Sequence, residues 1–150
     1  MKYKLELEER IQILQSTSSN KEVNCIGAAF FLLGLHDQEQ WIEPSHVDVY
    51  TLPEKSTLVE TIHQADFVII RGTKISSGRG MGTPSPYGNK TILHIAVVRD
   101  SEVGILCDRP QYNGLFRSSL TMDALKQEYS KYHRDRLITK HTFEFYKREH

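Results

Sequence analysis

The chain has 150 residues, of which 39% are hydrophobic and 25% charged, the ordinary balance of a globular domain. This length predicts a single domain, residues 1–150, with one sizeable core. The 19 Lys and Arg residues offset the 19 Asp and Glu residues, which argues against a nucleic-acid partner and against an anionic membrane partner.

The N-terminal segment MKYKLELEERIQILQ is charged and lacks the apolar stretch and cleavage site of a secretory signal. No apolar run approaches the about 18 residues that a membrane helix needs. Two cysteines, Cys25 and Cys107, are too few for a disulfide framework. These features predict a cytoplasmic, reduced protein, with signal-less export as an effector as the alternative.

The N-terminal part of the chain carries two helical patterns. In residues 4–15, leucines and isoleucines stand among charges as in an amphipathic helix. After the turn-forming segment STSSN, the run CIGAAFFLLG predicts a second helix, which Asn20 or Asn24 caps and Gly34 ends. Because this run is apolar on nearly every side, we expect the second helix to lie in the core.

The segment that follows predicts short elements. Trp41 and Ile42 lie in a polar connection and are expected to fold back onto the core. The run VDVYTL, residues 47–52, predicts a short strand that stops at Pro53. The run STLVETIHQ, residues 56–64, predicts a short helix, because a Thr and a Glu three residues apart have capping-box spacing.

The second half of the chain predicts mostly strands. ADFVIIRG has the length and β-branched character of a strand, and the glycine-rich residues 72–88 predict a long loop that could act as a lid. TILHIAVV and VGILCD predict an antiparallel hairpin. SLTMDALKQEYSKYH predicts a helix, and HTFEFYK a final strand with Phe143 and Phe145 on one face. Helices followed by mostly antiparallel strands indicate an α+β fold.

Three residues could form a nucleophilic site. Cys25 begins the second helix, where the positive end of the helix dipole stabilises a thiolate, and His94 opens the strand HIAVV. A buried cysteine is more often a packing residue, a histidine at a strand end is more often structural, and Asp108 could be a turn former. The conjunction of thiol, imidazole and a carboxylate on the paired strand nevertheless favours a catalytic site.

The register of the hairpin decides whether Asp108 belongs to this site. If Val98 pairs with Gly104, His94 lies opposite Asp108, which can then orient the imidazole. An alternative register, shifted by one residue, puts Cys107 opposite the histidine instead. We expect the first register, because the second would strand a carboxylate on a face with no evident partner. Cys107 is then a core residue.

The runs NCIGAAFFLLGL, ADFVIIRG and HIAVVRDSEVGILCDR resemble the NlpC-type group of papain-fold thiol hydrolases over about residues 20–110. The resemblance implies a papain-like fold, in which N-terminal helices and a central Cys-bearing helix pack on a mostly antiparallel sheet. It implies Cys25 as the nucleophile, His94 as the base and Asp108 as the orienting residue. The order Cys, His, Asp is also similar to that of transglutaminase-like enzymes.

The predicted function is that of a cysteine peptidase or amidase that cleaves an amide bond in a peptide or amide substrate through an acyl-enzyme intermediate. The backbone N–H of Cys25 would contribute to the oxyanion hole, and Asn24 could add a side-chain donor, although capping is its commoner role. No metal or organic cofactor is required. A transglutaminase-like acyltransferase and a non-catalytic binding module of the same fold are the alternatives.

Overall fold

The computed structural model of the chain describes residues 2–16, 23–74, 90–110, 114–131 and 138–149. Its helices are α1 (Lys2–Ser16), α2 (Cys25–Leu32), α3 (Val47–Glu54) and α4 (Met122–Lys131), with a 3-10 turn at Ile62–Gln64. Its strands are β1 (Ser56–Val59), β2 (Phe67–Lys74), β3 (Lys90–Asp100), β4 (Ile105–Asp108), β5 (Arg117–Thr121) and β6 (Ile138–Arg148). The predicted α+β class is confirmed, and most of the predicted glycine-rich lid lies outside the described residues.

The described strands form one six-stranded sheet in the order β1-β6-β2-β3-β4-β5. Every neighbouring pair in this order is antiparallel. None of the described helices is long and apolar enough to cross a lipid bilayer.

Successive residues of β2 and β3 enter two separate cores, one on each face of the sheet. On the first face, Phe67, Ile69, Ile95 and Val97 pack with residues of α1, α2 and α3. On the second face, the intervening residues pack with α4. Phe143 and Phe145 of β6 lie on this face together, as predicted. The second core includes Val68, Ile70, Ala96, Val98, Leu106, Leu125 and Tyr129. Both strands are therefore almost continuously apolar, because neither face is open to water.

Helix α2 is the central helix that the sequence predicts. All eight of its residues are buried. Asn24 is its N-cap, with a side chain that accepts a hydrogen bond from the Gly27 N–H. The chain leaves the helix through Gly34 at a φ of +77°, a left-handed conformation that glycine adopts without strain. The prediction of both helix ends is confirmed.

The short elements between residues 47 and 64 are the reverse of those predicted. Residues 47–54 form helix α3, in which Val49 and Leu52 are buried one turn apart and His46 caps the first turn by accepting from the Asp48 N–H. Residues 56–59 form strand β1 instead of a helix. The reason is tertiary, because β1 pairs along its whole length with β6. Local capping-box spacing is a weaker influence than that ladder.

The helix predicted from SLTMDALKQEYSKYH begins later than expected. Its first residues belong to β5, which pairs with β4, and the helix α4 starts at Met122. The Thr121 hydroxyl accepts a hydrogen bond from the Ala124 N–H at 3.1 Å, which caps the first turn.

The register predicted for the β3–β4 hairpin is wrong, and so is its one-residue alternative. Val98 pairs with Leu106 and not with Gly104, a shift of two residues. Two features cause this shift. The turn is longer, with the Asp100 carboxylate accepting from the backbone N–H groups of residues 102 and 103 and Gly104 at a φ of +75°, and the ladder has a bulge between Val98 and Asp100. An even shift preserves the face on which each side chain lies. Asp108 therefore stays on the face of His94, as its diagonal neighbour.

Candidate active site

The first turn of α2 is fixed by a clasp between Asn24 and a neighbouring loop. Asn24 Oδ1 accepts hydrogen bonds from the N–H groups of Gly27 and Ile42 at 2.9 and 3.3 Å, and Asn24 Nδ2 donates to the Ile42 carbonyl at 2.7 Å. The capping role of Asn24 is thus confirmed, whereas its role as an oxyanion donor stays a prediction. The clasp holds Cys25, the next residue, at the start of the helix.

Gly27 allows the loop to approach the helix this closely. A Cβ atom at this position would lie 1.6 Å from the carbonyl oxygen of Gln40, which no side chain can accommodate. The loop backbone at Gln40 therefore rests directly on the helix, and Ile42 is buried as predicted. Together the clasp and the glycine place residues 40–44 beside Cys25.

His94 lies on β3 beside a β-bulge. Ile70 of β2 pairs with His94 and Arg71 with Ile92, which leaves Leu93 as an extra residue in the ladder. Bulges of this kind redirect side chains and are over-represented next to active sites. The His94 side chain is fully buried, and its Nε2 atom hydrogen-bonds the Asp108 Oδ2 atom at 2.6 Å. The contact between these two residues that the sequence predicts is present.

Asp108 is itself held by Arg117, a residue of β5. The Arg117 guanidinium donates through Nε and Nη2 to the two carboxylate oxygens at 2.8 and 2.7 Å, and its Nη1 donates to Glu128 of α4 at 2.6 Å. Burial raises the pKa of Asp108, but the hydrogen bonds from His94 and Arg117 outweigh burial and leave it below its ordinary value. Asp108 is therefore ionised and accepts a hydrogen bond from the N–H of His94 Nε2.

The remaining nitrogen of His94, Nδ1, is not used by the contact with Asp108. Within the described part of the chain, His94 Nδ1 has no hydrogen-bond partner. Burial lowers the pKa of His94, but the electrostatic interaction with Cys25 and the hydrogen bond with Asp108 outweigh burial and raise this pKa to about 9. Cys25 can exert such an effect only as a close neighbour of the ring, and Nδ1 is the nitrogen left to meet its sulfur.

Tyr129 of α4 covers the His94 ring, with the two ring centroids 5.5 Å apart. Tyr129 is only 5% exposed, so it closes the site on the α4 side of the sheet. A dry environment on that side strengthens the hydrogen bond between His94 and Asp108.

Cys25 is 5% exposed and opens onto a groove of about 250 Å³. The described residues that line this groove are Asn24, Cys25, Ile26, Trp41, Glu43, Pro44, Ile92 and Leu93. The groove is mostly apolar and has few polar groups, as ligand sites usually are. It joins the start of α2, the loop at residues 41–44 and the bulge of β3.

A second cavity, of about 310 Å³, lies at the other end of α2 and is larger. Its lining includes His36, Lys55 and Arg148 but none of the three predicted catalytic residues. Size alone therefore does not identify the site. The groove at Cys25 is the better candidate, because it contains the predicted nucleophile. The described residues contain no group of three or more His, Cys, Asp or Glu side chains with the geometry needed to hold a metal ion.

Cys107, the other cysteine, belongs to the first core and is fully buried, as predicted. Burial raises its pKa well above the ordinary value, so this thiol is inert.

The structure thus brings the predicted Cys25, His94 and Asp108 into one cluster. The sequence analysis missed Arg117, Glu128 and Tyr129, because it assigned no strand to residues 117–121 and could not place α4 over the histidine. Comparison with protein-family models, with curated proteins and with solved structures found no match for the chain.

Proposed function

We propose that the protein is a cysteine peptidase or amidase that cleaves an amide bond through a Cys25–His94–Asp108 triad. One observation carries the proposal. A fully buried imidazole is tied through Nε2 to an ionised carboxylate, while its other nitrogen is left for a thiol at the start of a helix. Thiol hydrolases need this arrangement, in which the base is oriented by a third group and faces the nucleophile.

In the acylation step, the Cys25 sulfur attacks the carbonyl carbon as a thiolate. The oxyanion that forms would accept a hydrogen bond from the backbone N–H of Cys25 at the helix start. The carbon–nitrogen bond then breaks, and the proton on His94 Nδ1 passes to the leaving amine. A thioester remains on Cys25, and His94 is neutral.

In the deacylation step, water attacks the thioester and His94 Nδ1 accepts its proton. The carbon–sulfur bond breaks, which releases the carboxylic acid and returns sulfur and imidazole to their starting charges. Asp108 keeps the ring oriented in both steps, because the hydrogen bond at Nε2 fixes which nitrogen faces the sulfur.

The papain-like fold and the likeness to the NlpC-type group belong to this proposal. A Cys-first helix packed on an antiparallel sheet, with the histidine and the acid on adjacent strands, supports both. A peptide or amide substrate, no nucleic-acid partner and a cytoplasmic location complete it. If an amine replaces water in the second step, the same triad gives a transglutaminase-like acyltransferase.

A non-catalytic module is the second candidate, and the burial of the cluster favours it. Cys25 is 5% exposed and His94 is fully buried, as the members of a structural polar network would be. In that case the groove would bind a partner without cleaving it.

Alkylation of the native protein with iodoacetamide, read by peptide mass spectrometry, separates the candidates. An enzyme should be modified at Cys25, more slowly after His94→Ala, while the buried Cys107 of the same molecule serves as the unreactive control. Modification of neither cysteine before denaturation would favour the module. Incubation of the reactive protein with muropeptides and glutamine-containing peptides, with and without an added amine, then distinguishes hydrolysis from acyl transfer.

A further inference from the structure

The groove beside Cys25 has an acidic side chain, and no basic one, among the described residues that line it. Among the described residues that line it, Glu43 is the one with a formally charged side chain, and most of the others are apolar. Glu43 is exposed, but its carboxylate is positioned, because Oε1 accepts a hydrogen bond from Trp41 Nε1 at 2.9 Å. Trp41 in turn lies between Gln40, which rests on Gly27, and Ile42, which Asn24 binds. The carboxylate therefore has a defined place relative to the thiol.

We propose that this groove selects substrates with a cationic group, an ammonium or a guanidinium, next to the amide that Cys25 attacks. This inference rests on the proposed function and adds the substrate class. An ionised carboxylate has acceptor capacity beyond its one bond to Trp41, so it can pair with a cationic donor. The Trp41 indole adds an aromatic surface, and tryptophan is the strongest side-chain partner for cations. An anionic group in the same place would meet Glu43 without a compensating cation in the described lining.

Charged thiol reagents of matched size test the inference without a known substrate. Methanethiosulfonates with an ammonium, a sulfonate or a neutral methyl group each react when the Cys25 sulfur attacks the sulfenyl sulfur, which forms a disulfide and releases methanesulfinate. The measured quantity is the ratio of the second-order rate constants for the ammonium and sulfonate reagents. Glu43→Gln should lower this ratio about 10- to 25-fold, because one charge a few ångströms away changes each rate about three- to fivefold in opposite directions.

Two further variants make the result specific. Glu54→Gln removes an equal charge from an exposed residue outside the groove and should leave the ratio unchanged. Trp41→Phe keeps an aromatic ring but removes the hydrogen bond to Glu43, and should lower the ratio in part. The neutral reagent should react equally with the wild type and with Glu54→Gln. In the two groove variants it reports the intrinsic reactivity of Cys25, which cancels in the ratio of the charged reagents.

The outcomes separate the two proposals. If the neutral reagent modifies Cys25 but Glu43→Gln leaves the ratio unchanged, the cation selectivity is wrong and the hydrolase proposal stands. If no reagent modifies Cys25 in the native protein, both proposals fail, because the groove does not give access to the thiol.

Discussion

Replacement of Asp108 by Asn should have two effects: it should lower the free energy of unfolding and lower the pKa of His94. The carboxylate accepts three hydrogen bonds, one from His94 and two from Arg117, and its side chain is inaccessible to water. An Asn amide has one oxygen for these three donors, and its NH₂ group would face a donor of His94 or Arg117. Because the loss of one partner leaves the other buried charge uncompensated, we expect a loss of about 3–5 kcal/mol.

The titration of His94 follows from the same contacts. Asp108 raises the pKa of His94 through its hydrogen bond and its charge, whereas burial lowers it. In Asp108→Asn the lowering effect of burial remains and the charge of Asp108 is gone, so the pKa of His94 should fall below about 9. If Cys25 alkylation depends on the imidazolium, the decline of its rate at high pH should begin at a lower pH.

Two measurements check this prediction. Urea unfolding at pH 7 gives the loss of stability, and Arg71→Gln, which breaks another partly buried ion pair, that with Glu144 in the sheet, is the matched control. That control should lose stability without any change in the pH profile of Cys25 alkylation. A loss below about 1 kcal/mol in Asp108→Asn, together with an unchanged pH profile, would refute the buried network described above.

Substitutions at Gly27, Arg117 and His94 test the loop packing, the ion pair and the titration separately. Gly27→Ala should cost about 1–3 kcal/mol in urea unfolding, because its Cβ would meet the Gln40 carbonyl oxygen; an unchanged midpoint would mean that the loop is not packed on α2. Arg117→Gln should slow Cys25 alkylation and shift its pH profile, whereas Glu128→Gln, which leaves both Arg117 bonds to Asp108 in place, should not; equal effects would argue against a positioning role. The contribution of His94 to stability should fall as pH rises from 6.5 to about 9, because His94 holds a proton more tightly when folded; the difference in unfolding free energy between the wild type and His94→Gln measures it, and a difference that does not change with pH would contradict the prediction.

Local features of the sequence are enough to predict the helix that begins at Cys25. The apolar run after Asn24 and the glycine at residue 34 define α2 without any tertiary information, because capping and chain reversal are local. The contact between His94 and Asp108 was predicted with the wrong register. It is nevertheless present, since a shift of two residues keeps a side chain on the same face and leaves a diagonal neighbour within reach.

The remaining features of the site depend on tertiary pairing, which sequence periodicity does not report. Residues 56–59 form a strand because β6 lies beside them, and Arg117 reaches Asp108 because β5 pairs with β4. The extra residue Leu93 is visible only once β2 and β3 are aligned. The acid partner of the histidine could therefore be anticipated, whereas the arginine that holds this acid could not.

The relative strength with which Cys25 and Asp108 raise the pKa of His94 accounts for the two roles of this residue in the proposed mechanism. Before acylation in the proposed mechanism, a Cys25 thiolate offsets the His94 imidazolium and Arg117 offsets Asp108, which makes the burial of His94 and Asp108 tolerable. Glu128, the second partner of Arg117, lies at the partly exposed end of this network. Apart from the effect of burial, the charge of a Cys25 thiolate has the largest effect on the pKa of His94. Acylation removes that charge, so the pKa of His94 should fall toward neutrality while Asp108 continues to orient the ring. The same imidazole can thus give a proton to the leaving amine and then accept one from water.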